Sequence, residues 1–308
     1  FTASGELDNG FTWTYHTELD PADGGAASND DTAIVIGMGD LGTIGLYDAE
    51  GGLSTELGWG IGAMGVGADY ANTMTNIGRG YDVSADPHVA YTTAAGLLPF
   101  GIQASVGYAP NTPDGQSNSY KGGGAQGDQS ADGTNATQYK ITASPIDGLK
   151  IGADYYETGG DKLATVSQEK TGGNVYAQYA MGNFKVGYTK GKLEPSKTTD
   201  KYGTNTADTA TALGGDAYES DGIGVEFAVN DQLSISYTQE DFSRTHKTMA
   251  TTASTNTRNT VTSEQTTIMA AYNVGGAVLG VSLIDTDNSD YTANREETKT
   301  IFSLAFEF

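Results

Sequence analysis

Apolar residues recur at every second position in segment after segment of the chain, a period that only a β-strand can place on one face. Between Thr300 and Phe308, Phe302, Leu304, Phe306 and Phe308 share one face, while Ser303 and Glu307 lie on the other. The same rule sets Phe100, Ile102, Ala104, Val106 and Tyr108 against Gln103 and Ser105. It sets Leu149, Ile151, Ala153 and Tyr155 against Lys150, Gly152 and Asp154, and Ile223, Val225 and Phe227 against Gly224 and Glu226. The pattern yields fifteen strands, among them His88–Ala95, Phe100–Tyr108, Gly222–Ala228, Leu233–Glu240, Glu264–Asn273 and Glu297–Phe308.

The connections between these strands alternate in length. Asp8-Asn9-Gly10, Ile146-Asp147-Gly148 and Gly275-Gly276 are short turns built from residues that tolerate positive φ. Ala49–Pro87, Ala109–Ala136, Leu193–Ser220 and Phe242–Val261 are long polar stretches, unusual inside a compact soluble domain. Strict short-long alternation brings every long loop to one rim. No run approaches the roughly 20 apolar residues of a spanning helix. Strands that are apolar on one face only, with all long loops on one side, predict an all-β fold, a transmembrane antiparallel β-barrel formed by residues 1–308 as a single domain.

Strand parity adds an expectation. A single-chain barrel of this class has an even number of strands and both termini on the short-turn side. Fifteen strands place Phe1 at the loop rim, so sixteen are expected, with the first strand preceding Phe1. A strand overlooked inside a long loop would also restore parity.

Charge and composition narrow the chemistry. The chain carries 39 acidic and 16 basic residues, a formal charge of -23, which repels nucleic acid and favours cations. It has no cysteine, which removes disulfides, thiolate zinc sites and cysteine nucleophiles. His16, His88 and His246 lie on separate elements without metal-ligand spacing. Asp285 and Asp287 begin a weak calcium-like run that lacks the glycine and the final glutamate of an EF-hand loop. No cofactor and no enzymatic activity are expected. Ca or Mg ions held diffusely by acidic loops suit the charge better.

Three segments resemble the trimeric general diffusion porins of Gram-negative outer membranes, most closely the alphaproteobacterial type: Gly37–Ala49 (GMGDLGTIGLYDA), Tyr272–Asp290 and Ser303–Phe308. The resemblance implies a homotrimer in the Gram-negative cell outer membrane, in contact with lipid and lipopolysaccharide. It also implies that the terminal Phe308 is a signal to the barrel-assembly machinery. Residues 49–87 would be a constriction loop folded into the lumen, with Glu50, Glu56, Asp69, Asp82, Asp86 and Arg79 at the eyelet. "LGWGIGAMGVGADY" within that loop is too apolar for a free external loop. Strand parity places His16, Glu18, His88, Lys140, Asp154, Lys185, Glu226 and Lys299 on the inner wall. Acids on the loop facing bases on the wall would set up a transverse field, and the excess of acids predicts cation preference. The expected function is passive diffusion of small hydrophilic solutes and ions. A substrate-selective porin is the alternative within the class, and a surface adhesin or structural β-protein the alternative outside it.

Overall fold

A computed structural model of the chain describes residues 1–21, 27–48, 50–67, 80–112, 134–159, 166–168, 170–194, 197–198, 216–248 and 257–306. The strands are β1 (Thr2–Glu6), β2 (Thr12–Pro21), β3 (Ala27–Gly37), β4 (Thr43–Asp48), β5 (His88–Thr92), β6 (Gln103–Thr112), β7 (Thr134–Ala143), β8 (Leu149–Gly159) and β9 (Val166–Gln168). They continue as β10 (Thr171–Met181), β11 (Phe184–Glu194), β12 (Lys197–Thr198), β13 (Asp216–Ala228), β14 (Leu233–Thr248), β15 (Thr257–Asn273), β16 (Ala277–Asp287) and β17 (Glu297–Phe306). All but β9 and β12 join one fifteen-stranded antiparallel meander in chain order, and those two pair only with each other. Among the described residues no pairing links β1 to β17, so the sheet is an unclosed barrel of fifteen strands. Phe308 lies outside the described residues, as does Asp69, Arg79 and the segment Tyr70–Arg79.

The sheet is polar inside and apolar outside, the reverse of a soluble domain. Outward positions include Phe302 at 80% exposure, Ile223 at 61% and Leu283 at 48%. Inward positions one residue away include Gln138, Gln265, Thr267, Ser282 and Thr286, all buried. Lipid can cover the first set at no cost, whereas water would not. Tyr108, Tyr155, Tyr188, Tyr237 and Tyr272 all point outward with their rings exposed, the placement expected of interfacial aromatics.

Several boundaries depart from the sequence expectation, and two places show why. β6 starts at Gln103, because Phe100 sits in a 3-10 turn (Pro99–Gly101) at φ 61° and does not extend the strand. The polar stretch expected as a loop at Phe242–Val261 is largely strand: β14 and β15 stay paired up to Thr248 and Thr257. Beyond the apolar belt both faces are polar, so the alternation that marks a strand disappears while pairing continues. Thr245–Thr260 (2.9 Å) and Ser243–Thr262 (2.8 Å) hydroxyl contacts tie the extension together.

At that same height the exterior carries a row of carboxylates on neighbouring strands. Asp221 pairs in register with Asp241, Asp241 with Glu264, and Glu264 with Asp287. Lys190 closes one end through an ion pair to Asp221 at 3.0 Å.

Candidate functional site

Residues 50–67 and 80–87 leave the rim between β4 and β5 and pack on the concave face of the sheet as a strap. Extended backbone without sheet partners needs other acceptors for its N–H groups, and the wall and the strap itself supply them. Asp82 accepts from the backbone N–H of Leu53 (3.0 Å), Ser54 (2.8 Å) and Ser84 (3.0 Å), tying the outgoing and returning limbs together. Asp154 of β8 accepts from both Thr55 N–H (2.7 Å) and Thr55 Oγ1 (2.6 Å), and also from Asn174 Nδ2 (3.2 Å) and Gln138 Nε2 (3.4 Å). Gln138 of β7, fully buried, accepts from Val83 N–H (2.7 Å) and donates to the Tyr81 carbonyl (3.1 Å).

Farther across the lumen, Gly62 N–H donates to Glu226 of β13 (3.1 Å) and Ala63 N–H to Ser236 Oγ of β14 (2.8 Å). Glu226 is ion-paired with Lys185 of β11 at 2.9 Å. At its base, Leu53, Tyr81 and Val83 of the strap join Ala109, Ala136, Tyr156, Leu193, Tyr218, Phe242 and Tyr291 in one buried apolar cluster. The strap is thus bonded to the wall at two places, β7–β8 and β13–β14, and welded by apolar contact near the loop rim.

Beside the strap lies a cavity of 530 Å³, lined by Glu56, Asp82, Ser84, Lys140, Thr142 and Tyr176 among others. Lys140 makes no ion pair among the described residues, although Asp154 is its register partner on β8. The Asp154 carboxylate is turned to Thr55 instead, which leaves the Lys140 ammonium facing the cavity.

The candidate residues named from sequence therefore separate into groups. Glu56, Asp82 and Lys140 meet at the cavity. His16 and Glu18 border a different hollow, with Phe1, Thr17 and Leu19. Lys299 faces inward on β17 opposite Ile284, and Glu50 is half-buried at the start of the strap. His88 and Asp154, expected on the open wall, and Asp86, expected at the eyelet, carry a correction: all three are buried and belong to the strap's seating. The His88 ring stacks on Tyr47 (centroids 5.1 Å apart), with Nδ1 against the Asp86 carbonyl (2.9 Å) and Nε2 against the Gly51 carbonyl (3.3 Å). Asp285 and Asp287 lie on the exterior face, where Asp285 accepts from Thr298 Oγ1 (2.8 Å). Among the described residues no three His, Asp or Glu side chains gather as a metal site.

Sequence reasoning missed Gln138, Asn174 and Ser236 as anchors. Nothing in an alternating strand distinguishes an inward polar residue that holds a loop from one that meets water. An available signal was the excess of backbone donors in the glycine-rich stretch Gly58–Gly67, which must find acceptors wherever it packs.

No family model matches the sequence, and no curated protein matches it. Solved structures do. An anion-selective porin from Comamonas acidovorans superposes with TM-score 0.60 at 14% identity, over 98% of this chain and 86% of that one. OmpF of Salmonella typhi in complex with daunomycin gives TM-score 0.60 at 11% identity, over 99% of this chain and 88% of the other. A loop-deleted form of OmpT, an outer membrane protein of Vibrio cholerae, gives 0.60 at 12% identity, over 99% and 89%. The fold is that of the outer-membrane porins. At this level of identity the likeness is one of backbone architecture, and the chemistry of the lumen must be read from this chain's own residues.

Proposed function

We propose that the protein is an outer-membrane porin of a Gram-negative bacterium, a water-filled channel through which small hydrophilic solutes and ions diffuse passively. The observation that carries this reading is the inside-out polarity of the sheet, combined with a strap that narrows its lumen without becoming part of the wall. An apolar exterior suits hydrocarbon, and a polar interior with charged groups suits water and solutes. The reading requires no chemical step and no cofactor. The short sequence likenesses at Gly37–Ala49 and Tyr272–Asp290 support the alphaproteobacterial type and, with it, a homotrimer.

The excess of acids over bases, 39 against 16, supports cation preference, in contrast to the anion-selective porin with the same fold. The exterior row Asp221, Asp241, Glu264 and Asp287 supports diffuse Ca or Mg binding between the barrel and lipopolysaccharide phosphates. The cavity beside Lys140 favours a second reading, a substrate-selective porin. Reconstitution in planar bilayers separates these readings. Stepwise currents with a reversal potential that favours cations in a salt gradient are the expected result. Saturating solute flux identifies the selective form, and a protein that inserts but carries no current refutes both.

A further inference from the structure

At Ile61 the strap meets the wall at two residues that have no side chain. Gly187 of β11 and Gly224 of β13 are register partners on the inner face, and both are buried. Ile61, fully buried, fills the hollow between them. A Cβ on Gly187 would stand 2.6 Å from Ile61 Cγ1 and 3.1 Å from the Trp59 carbonyl oxygen, and a Cβ on Gly224 would stand 2.7 Å from Ile61 Cγ2 and 2.8 Å from Thr238 Cγ2. Real Cβ atoms do not approach so closely, and a packed interior does not absorb an added methyl freely. The two glycines also weaken their strands and forgo wall packing, and the isoleucine occupies the space they leave.

We propose that this hollow is a seat that fixes how far the strap reaches across the lumen, with Ile61, Gly187 and Gly224 as positioning residues for the channel's aperture. Around the seat, Glu226 and Ser236 receive the N–H groups of Gly62 and Ala63, so an apolar knob and two hydrogen bonds act on adjacent residues. Lys185 then serves as counter-ion to a strap acceptor at 2.9 Å. The knob sets position and the hydrogen bonds set orientation. The consequence for permeation rests on the channel reading above, but the seat itself does not.

The chain contains no cysteine, so introduced pairs can be read without background. A sulfur at position 61 takes the place of Ile61 Cγ1 and lies within bonding reach of a cysteine at 187. The pair I61C with G187C, oxidised by copper phenanthroline in the folded protein, is expected to form a disulfide with loss of both free thiols. The pair I61C with G152C is expected to keep them, since the Gly152 position faces Tyr176. In a W13F background, which leaves Trp59 as the sole tryptophan, G187V is expected to shift the Trp59 emission to the red and to alter single-channel conductance. I61A, which empties the seat without crowding it, guards against a G187V protein that fails to fold and is expected to move both readouts in the same sense. Failure of I61C and G187C to cross-link overturns the seat, as does wild-type emission in both the folded G187V and I61A proteins. Unchanged conductance with shifted emission overturns its role in setting the aperture. Absence of current from the wild type refutes the channel reading while leaving the cross-link and the emission as tests of the seat.

Discussion

Replacing Asp154 with alanine tests whether the strap is held by the bonds described. The carboxylate is almost fully buried and accepts from Thr55 N–H at 2.7 Å and Thr55 Oγ1 at 2.6 Å, with two longer contacts from Asn174 and Gln138. A hydrogen bond to a charged acceptor contributes about 1.5–3 kcal/mol, so losing the two short ones weakens local seating by about 3–6 kcal/mol. At a factor of ten for each 1.4 kcal/mol, the population with the strap base detached rises by about 10²–10⁴. The sheet ladder of β8 is untouched, so the effect is local and not global. Amide hydrogen exchange reads it directly: Thr55 should exchange faster by about that factor, while strand amides of β8 and β10 keep their protection. Thr55→Val, which removes only the hydroxyl donor, should show a smaller acceleration. In bilayers, D154A should give noisier open-channel current than the wild type. If Thr55 in D154A exchanges at the wild-type rate, the carboxylate does not hold the strap and the account of the site fails.

Lys140→Glu changes one cavity-facing charge by two units, so the reversal potential in a salt gradient should move further toward cations; an unmoved potential would place Lys140 off the permeation path. Leu283→Arg, in the outward apolar belt, should destabilise the folded barrel in lipid by about 2–4 kcal/mol if it sits near the midplane. Asp287→Arg, at the loop end of the same strand face, should cost only about 0–1 kcal/mol by denaturant titration. Equal costs at the two sites would mean that the belt is misplaced. Chelation of divalent cations should lower the unfolding temperature of protein purified with lipopolysaccharide and leave lipopolysaccharide-free protein unchanged, because only the first has phosphates for cations to bridge to the carboxylate row.

The outer surface was legible in the sequence because lipid enforces one rule at every outward position, and Phe302, Leu304 and Phe306 obey it without exception. Where lipid stops, the rule stops: Ser243, Thr245 and Thr260 read as loop but pair as strand. The inner face obeys no comparable rule. Parity placed Asp154 and Glu226 on the correct side of the sheet, yet their work depends on partners far along the chain. Gly62 and Glu226 are separated by 164 positions. The inward glycines were visible as gaps in an alternating pattern. What fills a gap is decided by the path of the strap, and no local window records that path.

The knot at Asp82 has a consequence for how such a protein can change over generations. One carboxylate gathers Leu53, Ser54 and Ser84 into a narrow neck, so the loop beyond it hangs from the rim as a tied noose. Residues inserted or deleted within the noose reshape the opening without pulling on β4 or β5. On the channel reading, selection can therefore retune the opening while the parts that fold and face the membrane stay as they are.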